Sequence, residues 1–176
     1  MGSGLRPDGD RSRARQNRAV QLAGREGNEL ELAVLGYQFP EVELDPWDSN
    51  WLLIGVRAVT PQGSWEVVDP CLTTWEAKRL VGWLVRAVGH AAEADPLQFT
   101  EPNLTVTAAA APADPARVQL GFGLALELRP PWAGAVTGGD DLHVDLDVGR
   151  GEVARAAAAL LGDLVRFPER GDPPIL

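Results

Sequence analysis

The chain has 176 residues, 45% hydrophobic and 23% charged, which is enough for one soluble domain with a real hydrophobic core. Its net charge is −9, and six arginines (Arg6, Arg11, Arg13, Arg15, Arg18, Arg25) against Asp8, Asp10 and Glu26 give residues 1–28 a surplus of three positive charges, so that residues 29–176 carry −12. A body this acidic argues against direct DNA or RNA binding, the single cysteine rules out an intramolecular disulfide framework, and no apolar run approaches a membrane span.

Residues 1–28 are polar, rich in Arg and Gly, and without periodicity, so they read as a basic, disordered or loosely attached segment preceding a single domain over residues 29–176. Strands then declare themselves by alternation. In Glu29–Gly36, Leu30, Leu32 and Val34 share one face. In Trp47-Asp48-Ser49-Asn50-Trp51-Leu52 and onward, Leu52, Ile54, Val56 and Ala58 share a face opposite Trp51, Leu53 and Arg57. Thr60-Pro61-Gln62-Gly63 is a turn, and Ser64–Val68 completes a hairpin. A helix follows. Thr73 and Glu76 match a capping box, and Leu80, Trp83, Leu84, Ala87 and Val88 form one apolar stripe that ends near His90.

The second half repeats this grammar. Leu104, Val106 and Ala108 alternate with threonines, and Val118 to Leu128 alternates over six apolar positions. The Arg129-Pro130-Pro131-Trp132 loop leads to a strand carrying Leu142, Val144, Leu146 and Val148, then to a helix over Gly151–Phe167 stopped by Pro168. The order is βββα-βββα. The alternation is too clean for a parallel sheet buried on both sides. It predicts an α+β domain: an antiparallel β-sheet of about six strands with two helices packed on one face.

Catalytic chemistry finds little purchase. His143, Asp145 and Asp147 lie on one strand face with neighbours roughly 7 Å apart, too far for one ion to be held by all three. Gly121-Phe122-Gly123 sits inside a strand and does not open a helix, so it is no phosphate loop. Cys71 precedes a helix N-terminus, a position that can lower a thiol pKa, but no histidine is placed by sequence to serve as its base. Asp48 with Glu101 is one carboxylate pair that could do acid–base work, among 25 acidic residues that offer many others. The expectation is a protein that is not an enzyme and holds no cofactor or metal.

Six segments in order carry a family resemblance: Gly36-Tyr37-Gln38-Phe39-Pro40, Trp47 to Leu52, Gly63-Ser64-Trp65, Asp69-Pro70-Cys71-Leu72-Thr73-Thr74-Trp75-Glu76, Phe99-Thr100-Glu101-Pro102-Asn103-Leu104 and Arg129-Pro130-Pro131-Trp132. Together they make the chain, over roughly residues 29–168, similar to the WapI-like family of small bacterial immunity proteins. The resemblance implies a cytoplasmic, non-enzymatic partner of a contact-dependent, Rhs-type polymorphic toxin whose C-terminal domain attacks tRNA. Neutralisation would follow from covering that basic toxin domain, which an acidic body suits. No nucleic acid or membrane would be contacted directly, and the chain would be a monomer or weak homodimer.

Two readings of the signature residues compete. In one, Asp48, Ser49, Asn50, Glu101 and Asn103 fix turns through backbone hydrogen bonds. In the other, they form a recognition edge with Trp47 and Trp132. Simple alternation also sends Trp51, Leu53 and, on this reading, Trp65 to the outer sheet face among Glu29, Glu31, Glu127, Asp145 and Asp147, where an aromatic patch rimmed by acids suits a protein partner. The candidate partner-binding residues are therefore Trp47, Asp48, Asn50, Trp51, Leu53, Trp65, Glu101, Asn103 and Trp132. The alternative reading is a domain that binds a small molecule or nucleotide in a crevice near Pro130-Pro131-Trp132.

Overall fold

In the computed structural model, which describes residues 20–132 and 142–171, the elements follow one another as ββββα twice. Strands β1 (Val20–Ala23), β2 (Glu29–Tyr37), β3 (Trp51–Thr60) and β4 (Gly63–Thr73) form one antiparallel meander that runs into α1 (Thr74–His90). Strands β5 (Leu97–Gln98), β6 (Leu104–Ala110), β7 (Arg117–Leu124) and β8 (Leu142–Gly149) form a second, which runs into α2 (Arg150–Arg166). The class is α+β, as expected, but the strands divide into two four-stranded sheets and do not share one.

Alternation explains which side of each sheet is covered. Val20, Leu32, Val56 and Val67 fall in one row across the first sheet, and Val118, Val148 and Ala110 begin the equivalent rows of the second. The apolar faces join α1, through Ala77, Leu80, Trp83, Leu84 and Ala87, and α2, through Val153, Ala157, Leu160 and Leu164, in one continuous core. Both helices are started by a carboxylate at their third position. Glu76 takes the Thr73 N–H at 3.0 Å, and Glu152 takes the Gly149 N–H at 2.8 Å. The helix dipole gains from a negative group at each of these ends.

Three expectations need correction. The segment 1–28 is not loose throughout: Val20 and Leu22 are buried, and β1 pairs along β2 from Val20↔Leu32 to Ala23↔Glu29. Only two apolar positions mark this strand, too few for a periodic signal. Residues 1–19 lie outside the described residues. Secondly, β5 is two residues long and could not have been seen as alternation. Thirdly, β7 stops at Leu124; the alternation that continues to Leu128 is taken over by a 3-10 turn at Leu126–Leu128. Leu126 stands there with φ +48°, a left-handed backbone that a branched side chain rarely adopts.

The two sheets approach each other where β1 ends. A Cβ on Gly24 would lie 3.3 Å from the Leu146 Cα, so a side chain there would press on the neighbouring backbone, and the Arg25 N–H donates to the Asp147 carbonyl at 3.3 Å.

Candidate functional site

The polar residues of the signature segments separate into two groups with opposite character. The first is a buried knot. Asp45 accepts the N–H groups of Trp47 (2.8 Å) and Asp48 (2.7 Å), opening the 3-10 turn Asp48–Asn50 that launches β3. Asn50, fully buried, donates its amide to the carbonyls of Pro46 (3.0 Å) and Arg170 (2.7 Å). Its Oδ1 accepts from the Thr74 hydroxyl at 2.7 Å and the Arg170 N–H at 2.9 Å. Next to it, the buried Glu76 carboxylate takes the Thr73 N–H and hydroxyl and, at 2.7 Å, the Thr100 N–H. Turn, helix start, C-terminal segment and the β5–β6 connection are thus tied at one place. Asn50, one of the expected partner contacts, is fully buried with both ends of its amide paired within the chain.

The second group lines an open cleft with a cavity volume of about 380 Å³. Trp51 comes from the start of β3, Asp69 from β4, Glu101 and Asn103 from the approach to β6, Glu127 from the 3-10 turn after β7, and Asp48 from the turn before β3. Local irregularities aim these side chains. The β3–β4 register shifts between Leu52 and Ile54, a bulge in which Pro70 and Cys71 of β4 face the single residue Leu53. Proline lacks an N–H and suits that interruption. Glu127 follows Leu126, the residue held at positive φ.

The cleft is negative and uncompensated. Four carboxylates line it without a lysine or arginine, and none of the four has an ion-pair partner among the described residues. Burial, then the charges of Glu127 and Glu101, push the Asp69 pKa above its ordinary value. Asn103 lies at the floor, only 3% exposed. Its amide nitrogen donates to Asp69 at 3.2 Å and to Glu127 at 2.8 Å. Its Oδ1 is buried and meets no donor. Among the described residues no group of three His, Cys, Asp or Glu side chains could hold a metal ion.

A larger concavity, about 640 Å³, opens between the outer face of β1–β2 and α2. Arg57, Arg155, Glu29, Glu31 and Glu152 line it, and Arg57 already pairs with Glu29 at 3.5 Å. Its mixed charge selects no partner by sign, so the smaller cleft is the better site.

Of the nine expected contacts, Asp48, Trp51, Glu101 and Asn103 meet in the cleft. Trp51 and Leu53 are each partly exposed, neither sealed nor free. Trp47 packs edge-on against Trp75, ring centroids 5.4 Å apart, beside the buried knot. Trp65 corrects the expected outer face. It pairs with Ala58 and so shares its core side, is 6% exposed, and donates its indole N–H to the Leu128 carbonyl at 3.0 Å. Trp132 packs edge-on upon Trp65 at 5.6 Å and lies 3.0 Å from where a Gly63 Cβ would stand. That requires glycine at a position already at φ +147°. The crevice expected beside Pro130-Pro131-Trp132 adjoins residues 133–141, which lie outside the described residues.

Asp69 and Glu127 were not singled out as contacts, and together with Asn103 they make the centre of the cleft. The only signals were a proline inside a strand pattern after Asp69 and an acid on the outward side of an alternating run. Cys71 departs from the expectation for a helix start. It is buried, and burial, together with the charge of Asp69, raises its pKa to about 12, so the thiol stays protonated. His143 and Asp145 are exposed, and Asp147 accepts from Arg117 at 2.7 Å.

Among the described residues no helix is long and apolar enough to cross a membrane. The family described as the immunity protein WapI-like family matches residues 21–168, most of the chain. Neither a curated protein nor a solved structure matches it.

Proposed function

The chain belongs to the WapI-like family of immunity proteins, and from that premise we propose that it binds a cognate toxin domain and neutralises it by covering its working surface, without catalysis. The observation that carries this reading is the uncompensated acidic cleft, four carboxylates beside the partly exposed Trp51. Such a surface favours a basic protein partner, because complementary charge speeds encounter and fixes orientation while aromatic side chains supply contact area. A toxin domain that cleaves tRNA fits on chemical grounds, since it needs a basic face to grip phosphates.

The test is co-expression with a toxin domain encoded beside this chain, together with titration of the purified toxin. The reading expects restored growth and an endpoint at a fixed stoichiometric ratio, as occlusion requires. Restored growth with sub-stoichiometric inactivation would mean catalysis. No rescue would remove the immunity assignment for that pair. Replacing Trp51→Ala together with Leu53→Ser is expected to weaken toxin binding by about tenfold or more while the domain stays folded, since hot-spot aromatics carry about 2 kcal/mol or more.

A further inference from the structure

We infer that the groove between α1 and α2 docks an acidic amphipathic helix of a protein other than the basic toxin. Its chemistry stands on the two helices and does not depend on the immunity reading. Each helix carries a second apolar stripe beside the one that faces the core. On α1 it is Val81, Val85 and Val88; on α2 it is Ala154, Ala158, Leu161 and Val165, at alternating steps of four and three residues. The two stripes face each other. Arg150, four residues before Ala154 on the same stripe, donates to the carbonyls of Ala87 and Val88 at the end of α1. Lys78 at the start of α1 pairs with Glu169 just past the end of α2, so the helices run antiparallel. The other flank of α1 looks away from α2, where the Trp83 indole donates to the Asp95 carbonyl at 2.7 Å. Val85 is 59% exposed, Leu161 52% and Val165 76%, so three of the seven large hydrophobics exposed among the described residues lie along this one seam.

The rims of this groove are basic, in a chain whose net charge is −9. By helical spacing Arg79 and Arg86 stand on the far rim of α1, and Arg155 and Arg166 on the far rim of α2; all four are exposed. None of the three acids on the two helices stands free beside them. Glu76 and Asp163 are buried, and Glu152 is half-buried and takes the Gly149 N–H. Arg79, Arg86 and Arg155 have no ion-pair partner among the described residues. Arginine around exposed aliphatic side chains is the composition of a protein interface, whereas a nucleic-acid site is more polar. A partner in the groove meets apolar surface below and cations on both sides. That matches a helix whose apolar face is flanked by Asp or Glu. A second copy would oppose arginine to arginine, and a basic toxin surface would do the same. The overall charge does not bar an acidic partner, because at physiological salt charges are screened beyond about 8 Å and the local arginines dominate.

The experiment titrates the full chain, labelled at its Val and Leu methyl groups for NMR, with a synthetic helix of about 18 residues that has leucine on one face and glutamate elsewhere. Separate titrations use its lysine counterpart, a scrambled peptide of the same composition, single-stranded RNA and anionic phospholipid vesicles. The expected result is a saturable shift of the Val85, Leu161 and Val165 methyls with the acidic helix, weaker as salt rises. The lysine and scrambled peptides should bind at least about tenfold more weakly, and so should the acidic helix to Arg86→Glu/Arg155→Glu. Unchanged methyl resonances away from the groove show that the variant is folded, and the peptide comparison on the wild-type chain does not need it. No saturation at these methyls, equal binding of the lysine or scrambled peptide, equal binding by the folded variant, or tighter binding of RNA or vesicles overturns the inference. So do shifts of the same methyls with protein concentration alone, which would make the occupant a second copy. The folded variant should still rescue cells from the toxin as the wild type does; lost rescue would assign the groove to the toxin and contradict a separate acidic partner.

Discussion

Asn50 and Asn103 are both buried asparagines in signature segments, and they do opposite things. Asn50 satisfies both ends of its amide within the chain, binding the WDSN turn to the start of α1 and to Arg170. Asn103 satisfies only its nitrogen, and does so by standing between two carboxylates that repel each other. A closed network stabilises a fold, whereas a buried acceptor left unpaired costs free energy. On the proposed reading the cleft is the recognition surface and the knot maintains the fold, although the two share the same stretches of sequence.

The comparison can be broken by mutation. Asn50→Ala leaves the Thr74 hydroxyl and the Arg170 N–H without their acceptor, and should cost about 3 kcal/mol or more in urea denaturation. Partner affinity of the folded fraction should stay as it was. Asn103→Ala deletes an amide that was half used and should cost less, about 1–2 kcal/mol, while also weakening partner binding. A larger stability loss at Asn103 than at Asn50 would reverse the assignment.

Asp69→Asn sharpens the contrast, because it should stabilise. The folded-state pKa of Asp69 lies above the 3.8 of a free side chain. The native state therefore binds its proton more tightly than the unfolded chain does. The penalty is full at neutral pH and fades as pH falls through the folded value towards 3.8. The variant should be slightly more stable at pH 7, with the gap to wild type closing in acid, measured by thermal unfolding across pH. A gap independent of pH would mean that Asp69 is not repelled. The smallest effect belongs to Leu126→Gly. Relief of the left-handed backbone is partly offset by glycine's greater freedom when unfolded, so the change should lie between neutral and about 1 kcal/mol stabilising.

Sequence reading reached the elements that repeat and missed those that do not. Strands β2, β3, β6 and β8, both helices and the Thr73–Glu76 cap follow from period and capping chemistry, which are local. The division into two sheets depends on which distant strands pair, and β1 and β5 are too short to show a period. Leu126 and Leu128 kept the alternation going where the chain turns, because nothing in a leucine announces a positive φ. At the site, Asp48, Trp51, Glu101 and Asn103 were legible as candidates because polar and aromatic residues crowd the strand ends. Asp69 and Glu127 were not, since it is tertiary folding that sets Asn103 between them. Trp65 was sent to the wrong face because its side depends on the register across the hairpin: Ala58 stands opposite it, and the two share the core side.

The most direct test of the cleft as recognition surface is the affinity of the toxin domain, by titration calorimetry, for the wild-type chain and for Asp69→Asn/Glu127→Gln. The account predicts at least about tenfold weaker binding, about 1.4 kcal/mol, by a variant as stable as the wild type or more so. Undiminished affinity in that variant would contradict it.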